Sequence, residues 1–127
     1  MNGYFIAAAV IAIAIGVLHS WLGERYILIR LFRRTDLPHL FGSDSFTRRT
    51  LRFAWHITTI FLFGLAALLL QFSRAVSVGG SVRSAVKIIG WTFLLSSVIA
   101  LIGSRGRHFS WLLFLGSAVL VWLGLRG

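Results

Sequence analysis

The chain has 127 residues, of which 57% are hydrophobic and only 13% are charged, and it contains no cysteine. Soluble domains are charged at about a quarter of their positions, so this composition excludes an ordinary soluble domain as well as a disordered chain. Without cysteine, this sequence cannot form disulfides, thiolate metal sites or cysteine nucleophiles. The net charge of +10 comes from arginines that flank apolar stretches, which favours anionic lipid headgroups as partners and argues against nucleic acid.

Stretches of apolar residues dominate the sequence. A bilayer's hydrocarbon core is roughly 30 Å thick and takes about 20 helical residues to cross. Four stretches approach this length, at 4–22, 51–72, 86–102 and 109–125. Together they predict one all-α domain over 1–127, an integral membrane bundle of four antiparallel transmembrane helices.

The first stretch carries a stripe of small residues that includes a histidine. The spacings along it are 3, 4, 3 and 4, which places its members on one helical face. Small residues let a second helix approach closely, so we expect this face to point into the bundle. His19 then either bonds a neighbouring Ser, Thr or backbone carbonyl, or acts as a ligand. The stripe consists of Ala9, Ala12, Gly16, His19 and Gly23.

The loop 24–50 is basic and amphipathic. Apolar residues alternate with arginines over 27–34, a pattern typical of a helix lying in the headgroup layer. The residues before Pro38 should end that helix, because the position preceding proline disfavours helical backbone. Ser43, Asp44 and Ser45 predict the start of the second helix, and His39 is expected to be solvated.

The remaining stretches add a second and a third histidine. His56 follows Trp55, which we interpret as an interfacial anchor, and Thr59 is expected to orient the His56 ring. The third stretch is expected to form the shortest helix. Its Ser96–Ser97 pair should bond the preceding turn or a neighbouring helix. A tight turn at 103–107 leads to the fourth stretch, which His108 precedes.

The distribution of basic residues predicts the orientation. Nine of the 13 Lys and Arg fall in the loops after the first and third stretches or, for Arg52, at the start of the second stretch, and four fall on the other side. Short loops rich in Lys and Arg stay in the cytosol. We therefore expect a multi-pass protein of a bacterial inner membrane with both termini on the outer side.

His19, His56 and His108 should then lie at one depth on the cytosolic side, with Glu24 near them. Three imidazoles and a carboxylate suit a transition metal such as zinc, copper, nickel or iron. Alternatively, two histidines on neighbouring helices could be the axial ligands of a haem b redox subunit, with arginines pairing its propionates. These arginines would be Arg25, Arg52, Arg105 or Arg107.

Catalytic machinery is not recognisable in the sequence. The carboxylates number three, Glu24, Asp36 and Asp44, and the two aspartates share one loop. No phosphate-binding loop or nucleophile elbow appears. The favoured hypothesis is thus an accessory or interaction protein, in a homo-oligomer or a larger membrane complex, with the metal and haem proteins as alternatives.

Three short strings carry a resemblance. His19–Ser20–Trp21–Leu22–Gly23–Glu24–Arg25, Trp55–His56 and Arg105–Gly106–Arg107–His108 resemble those of small uncharacterised four-span membrane proteins of bacteria. The resemblance implies the four-span architecture and carries no activity or cofactor with it.

Overall fold

The computed structural model describes residues 1–74 and 79–126. We number its helices α1 (Gly3–Leu31), α2 (Ser45–Ser73), α3 (Gly80–Ser104) and α4 (Ser110–Gly124). Over the described residues the chain forms the expected all-α bundle. Three helices, α1 to α3, are long and apolar enough to cross a membrane, while α4 is apolar but has only 15 residues.

The shortest helix is therefore α4, and the expectation that the third would be shortest is wrong. Hydropathy marks only the apolar part of a helix, whereas backbone hydrogen bonding continues α3 outward to Gly80. At the other end of the hairpin, α4 begins only at Ser110, after a turn in which Arg105 and Gly106 adopt left-handed backbone (φ 52° and 76°).

Helix α1 is the centre of the arrangement. It packs against α2 and α4, α3 packs against α4, and α2 and α3 touch only slightly. Asn2, just before α1, joins the ends of two other helices. Its backbone N–H donates to the Ser73 carbonyl and its side-chain Nδ2 donates to the Gly124 carbonyl, each at 2.8 Å. The start of α1 thus meets the ends of α2 and α4, as an antiparallel bundle requires.

The apolar core lies at this end of the bundle. Side chains from all four helices form one buried cluster around the first three turns of α1. The small-residue stripe faces inward as predicted, since Ala9, Ala12, Gly16 and Gly23 are buried. Three of the core members on α1 are alanines, which leaves room for large side chains from other helices. The core consists of Phe5, Ala8, Ala9, Ala12, Ala66, Leu69, Val86, Ile89, Phe93, Ala118, Val121 and Leu125.

At the opposite end, the loop between α1 and α2 is fastened by Arg48. Its guanidinium donates to the carbonyls of Phe32 and Arg34, which follow the end of α1, and pairs with Asp44. These bonds satisfy carbonyls that a helix end leaves without a partner. Helix α1 consequently ends at Leu31, a few residues before the expected stop.

Two further expectations concern the flanks of this loop and are confirmed. Helix α2 begins at Ser45, whose backbone N–H donates a hydrogen bond to the Ser43 hydroxyl at 3.3 Å. His39 is exposed.

The hairpin of α3 and α4 is held by the serine pair. The Ser97 hydroxyl donates to the Trp111 carbonyl on α4 at 2.8 Å, and the Ser96 hydroxyl donates to Thr92 within α3 at the same distance. Both bonds are of the kinds the sequence predicts.

Candidate functional site

The candidate site begins where α1 and α2 approach most closely, at Gly23. A Cβ at this position would overlap the Trp55 indole, so glycine lets the ring lie directly on the α1 backbone. Trp55 Nε1 donates to the His19 carbonyl at 3.1 Å, and the two rings stack with centroids 4.6 Å apart. Trp55 is thus part of the α1–α2 interface. Gly23 opens the space for the indole between the helices, and the interpretation of Trp55 as an anchor at the membrane surface stays a prediction.

His19 points at α2, as its place on the stripe predicts. Its Nε2 lies 2.8 Å from the Thr58 hydroxyl and 3.3 Å from the Trp55 carbonyl. The Thr58 hydroxyl also donates to that carbonyl at 2.7 Å. In the tautomer with its proton on Nε2, His19 donates to the threonine and the carbonyl, which is the packing role among the two expected.

His56 belongs to a second set of contacts, one turn away. Its Nδ1 lies 2.8 Å from the Ser20 hydroxyl, and Ser20 lies 2.8 Å from the Thr59 hydroxyl. Thr59 in turn reaches the Gly16 carbonyl at 3.4 Å. Thr59 was expected to orient His56 directly, but Ser20 stands between them because α1 approaches α2 at this level.

Glu24 closes the set at the loop end of the helices. Its Oε2 lies 3.4 Å from His56 Nε2, and its Oε1 pairs with Arg52 Nη2 at 2.8 Å. We call the connected residues the α1–α2 network. It runs in the order Arg52, Glu24, His56, Ser20, Thr59 and the Gly16 carbonyl.

Sequence reasoning missed Ser20 as a member of the site, and it named Arg52 only as a partner for haem propionates. The signal was present in the spacing: Gly16, Ser20 and Glu24 recur every four residues on α1, and Arg52 and His56 do so on α2. Residues four apart share a helix face. What the sequence did not reveal is that these two faces meet.

His108 lies outside the network. Its Nδ1 is 2.8 Å from the Ser110 hydroxyl and accepts the Ser110 N–H at 3.3 Å, so the ring caps the start of α4 at the surface. The structure thus brings His56 and Glu24 together, while no hydrogen bond recorded in residues 1–74 and 79–126 joins His19 or His108 to them.

A metal centre made of His19, His56, His108 and Glu24 finds no support in these positions. Within the described parts of the chain, no group of three or more His, Cys, Asp or Glu side chains is placed to hold a metal ion. The bis-histidine haem arrangement is equally unsupported. The Nε2 atoms of His19 and His56 face Thr58 and Glu24, so they do not face a common iron position.

Every buried side-chain nitrogen and oxygen in the described residues has a hydrogen-bond partner. A satisfied polar network of this kind fixes how two helices pack.

Comparisons with protein-family models, with curated proteins and with solved structures find no match. Function is therefore inferred from the side chains and their contacts alone.

Proposed function

We propose that the protein is a small multi-pass inner-membrane protein that acts by association, as an accessory or interaction subunit. The observation that carries this proposal is the engagement of the His19 and His56 rings within the α1–α2 interface. A histidine whose ring nitrogens serve neighbouring side chains contributes to packing. The polar end of the bundle then holds α1 and α2 together. The exposed surfaces of the chain remain for binding other molecules.

Exposed apolar side chains support the membrane location. Large hydrophobic residues on α2 and α3 are 65% to 71% exposed, among them Ile60, Phe61, Ile88 and Ile99. Monomeric soluble proteins rarely present contiguous apolar surface on this scale. In a bilayer, such side chains face lipid or a neighbouring membrane helix.

The ends of the bundle support the proposed orientation. Asn2, Ser73 and Gly124 meet at one end, so the α1–α2 loop and the α3–α4 turn lie at the other. The latter end carries nine of the 13 basic residues. The positive-inside rule then assigns the α1–α2 network to the cytosolic side and both termini to the outer side.

Purification of the tagged full chain in a mild detergent tests this function. We expect a stoichiometric second component, either another copy or a different membrane protein, together with no Soret band and metal well below one ion per chain. His56→Ala should reduce recovery of this complex, whereas His39→Ala, a change in the exposed loop, should not. Stoichiometric haem would establish the redox alternative, a stoichiometric metal ion the metal-binding alternative, and a solitary chain without either would contradict association.

A further inference from the structure

An arginine-lined groove lies on the exposed face of α1, near the end of this helix that leads into the α1–α2 loop. Five residues line this groove, which has a volume of about 340 Å³: Arg25, Tyr26, Ile29, Arg30 and Arg33. Its side chains take no part in the α1–α2 network. All three arginines are exposed.

The groove begins in a π-helical segment of α1, which holds Arg25 and Tyr26. In an α-helix, residues five apart are separated by about 140° around the axis. Over Gly23–Leu28 the backbone bonds instead run from i to i+5, so residues five apart stand about one turn above each other. Arg25 lies in this segment and Arg30 two residues after it, and their guanidinium carbons lie 5.9 Å and 5.6 Å from the centre of the Tyr26 ring. The ring holds both cations in place.

The charge in the groove is not balanced by the protein's own acidic side chains. The chain has only three, and each is paired elsewhere: Glu24 with Arg52, Asp36 with Arg34, and Asp44 with Arg48. No ion pair recorded in residues 1–74 and 79–126 involves Arg25, Arg30 or Arg33. Three like charges held together favour an anion from outside the chain.

We propose that this groove binds the phosphate of an anionic phospholipid. Guanidinium groups donate paired hydrogen bonds that match the geometry of phosphate oxygens. The groove also has an apolar approach, because Trp21 and Leu18, one and two turns closer to the membrane centre, are 60% and 43% exposed. Acyl chains can lie against Trp21 and Leu18 while the headgroup phosphate meets the arginines. A free phosphate ion has no acyl chains and would not use these apolar side chains.

This proposal rests on the membrane location proposed above, and titration of the purified full chain with lipid tests it. Native mass spectrometry would follow binding of phosphatidylglycerol and of phosphatidylcholine. Glutamine cannot make the paired, charge-assisted hydrogen bonds that a guanidinium donates to phosphate, so Arg30→Gln with Arg33→Gln should weaken phosphatidylglycerol binding at least about tenfold. The matched control, Arg49→Gln with Arg107→Gln, removes two exposed arginines outside the groove and should change it less than twofold.

Three outcomes would overturn the proposal that the groove binds an anionic phospholipid. Equal losses of binding in the two double variants would show general charge attraction. Equal binding of phosphatidylcholine would show no need for an anion, and displacement of the lipid by millimolar inorganic phosphate would show a site for free anions. If the glutamine pair fails to fold, Arg30→Lys with Arg33→Lys keeps the charge but removes the paired donors, and must still weaken binding. If the purified chain is solitary but prefers phosphatidylglycerol, the proposed association is wrong and the lipid site stands. If the chain is purified in a complex but shows no such preference, the lipid site is wrong and the proposed association stands.

Discussion

At the residue scale, Ser20 is the pivot of the α1–α2 network. Its single hydroxyl lies 2.8 Å from both His56 Nδ1 and the Thr59 hydroxyl, so it links a ring on α2 to a second polar group of the same helix. Apolar substitution would leave both partners without their shared bond inside a helix interface. Unsatisfied polar groups in such a place cost more than the average hydrogen bond contributes.

We therefore expect Ser20→Ala to lower the free energy of unfolding by about 1 kcal/mol, within the range for interhelical hydrogen bonds in membranes. Ser96→Ala is the control, because the half-buried Ser96 hydroxyl donates to the Thr92 carbonyl of its own helix and, among the described residues, to no other helix. Unfolding of the full chain in bicelles with increasing SDS would measure both. Equal stabilities for the two variants would show that the network does not hold the helices together.

A second residue-scale prediction concerns Asp36 in the loop. The hydrogen bond from the Arg34 guanidinium, with an Nη2 to Oδ2 distance of 2.5 Å, lowers the pKa of Asp36 from 3.8 to about 2. A lowered pKa in the folded chain means that the pair stabilises above pH 3.8 and loses this contribution as the pH falls toward 2. Since both side chains are more than 60% exposed, the effect on stability is small.

Carbon-13 NMR of the Asp36 carboxyl would follow this titration directly. Its midpoint should lie near 2 in the parent chain and move up toward 3.8 in Arg34→Gln. Arg33→Gln, a neighbouring arginine without a recorded bond to Asp36, should leave the midpoint unchanged. An unshifted midpoint in Arg34→Gln would mean that another group lowers the pKa.

At the element scale, the contact between α1 and α2 combines a close approach with a polar network. Gly16 and Gly23 admit Phe63 and Trp55 of α2 against the α1 backbone, and the hydroxyl groups of the network lie between these two levels. The stripe of small residues made this face of α1 predictable, because glycine and alanine at helical spacing have few other uses within a membrane. The π-helical segment was not predictable, since hydropathy does not show that the backbone bonds of Gly23–Leu28 run from i to i+5.

Gly23→Ala should be strongly destabilising, since its Cβ would overlap the rigid Trp55 indole, and overfilled cores typically lose about 1–3 kcal/mol. Gly64→Ala is the matched control within α2, because a Cβ there meets nothing within 4 Å. That change should be neutral or stabilise by about 0.5–1 kcal/mol, as alanine favours helix. Thermal unfolding in micelles would separate the two, and a tolerated Gly23→Ala would mean that α1 and α2 pack less closely than described.

At the scale of the whole molecule, hydropathy and helical spacing predicted the all-α bundle, the antiparallel hairpins and the inward face of α1. They did not predict which helices touch: α1 and α4 pack together, while α2 and α3, neighbours in sequence, scarcely do. For the same reason the histidine site was only half anticipated. Shared depth suggested that His19, His56 and His108 converge, but rotation about each helix axis decides what a ring meets. In this structure His19 contacts Thr58, His56 contacts Ser20 and Glu24, and His108 contacts Ser110.

The orientation of the molecule gives the last prediction. Because the chain lacks cysteine, a single introduced thiol reports one position without background. Ser43→Cys lies in the basic loop between α1 and α2, and Ser81→Cys lies at the opposite end, in the first turn of α3. With nine basic residues at the loop end and four at the other, the loop end should be cytosolic. A membrane-impermeant maleimide should therefore label Ser81→Cys in intact cells and Ser43→Cys only after the membrane is opened. The reverse pattern would place the α1–α2 network on the outer side. Labelling of both positions in intact cells would contradict insertion across the membrane altogether.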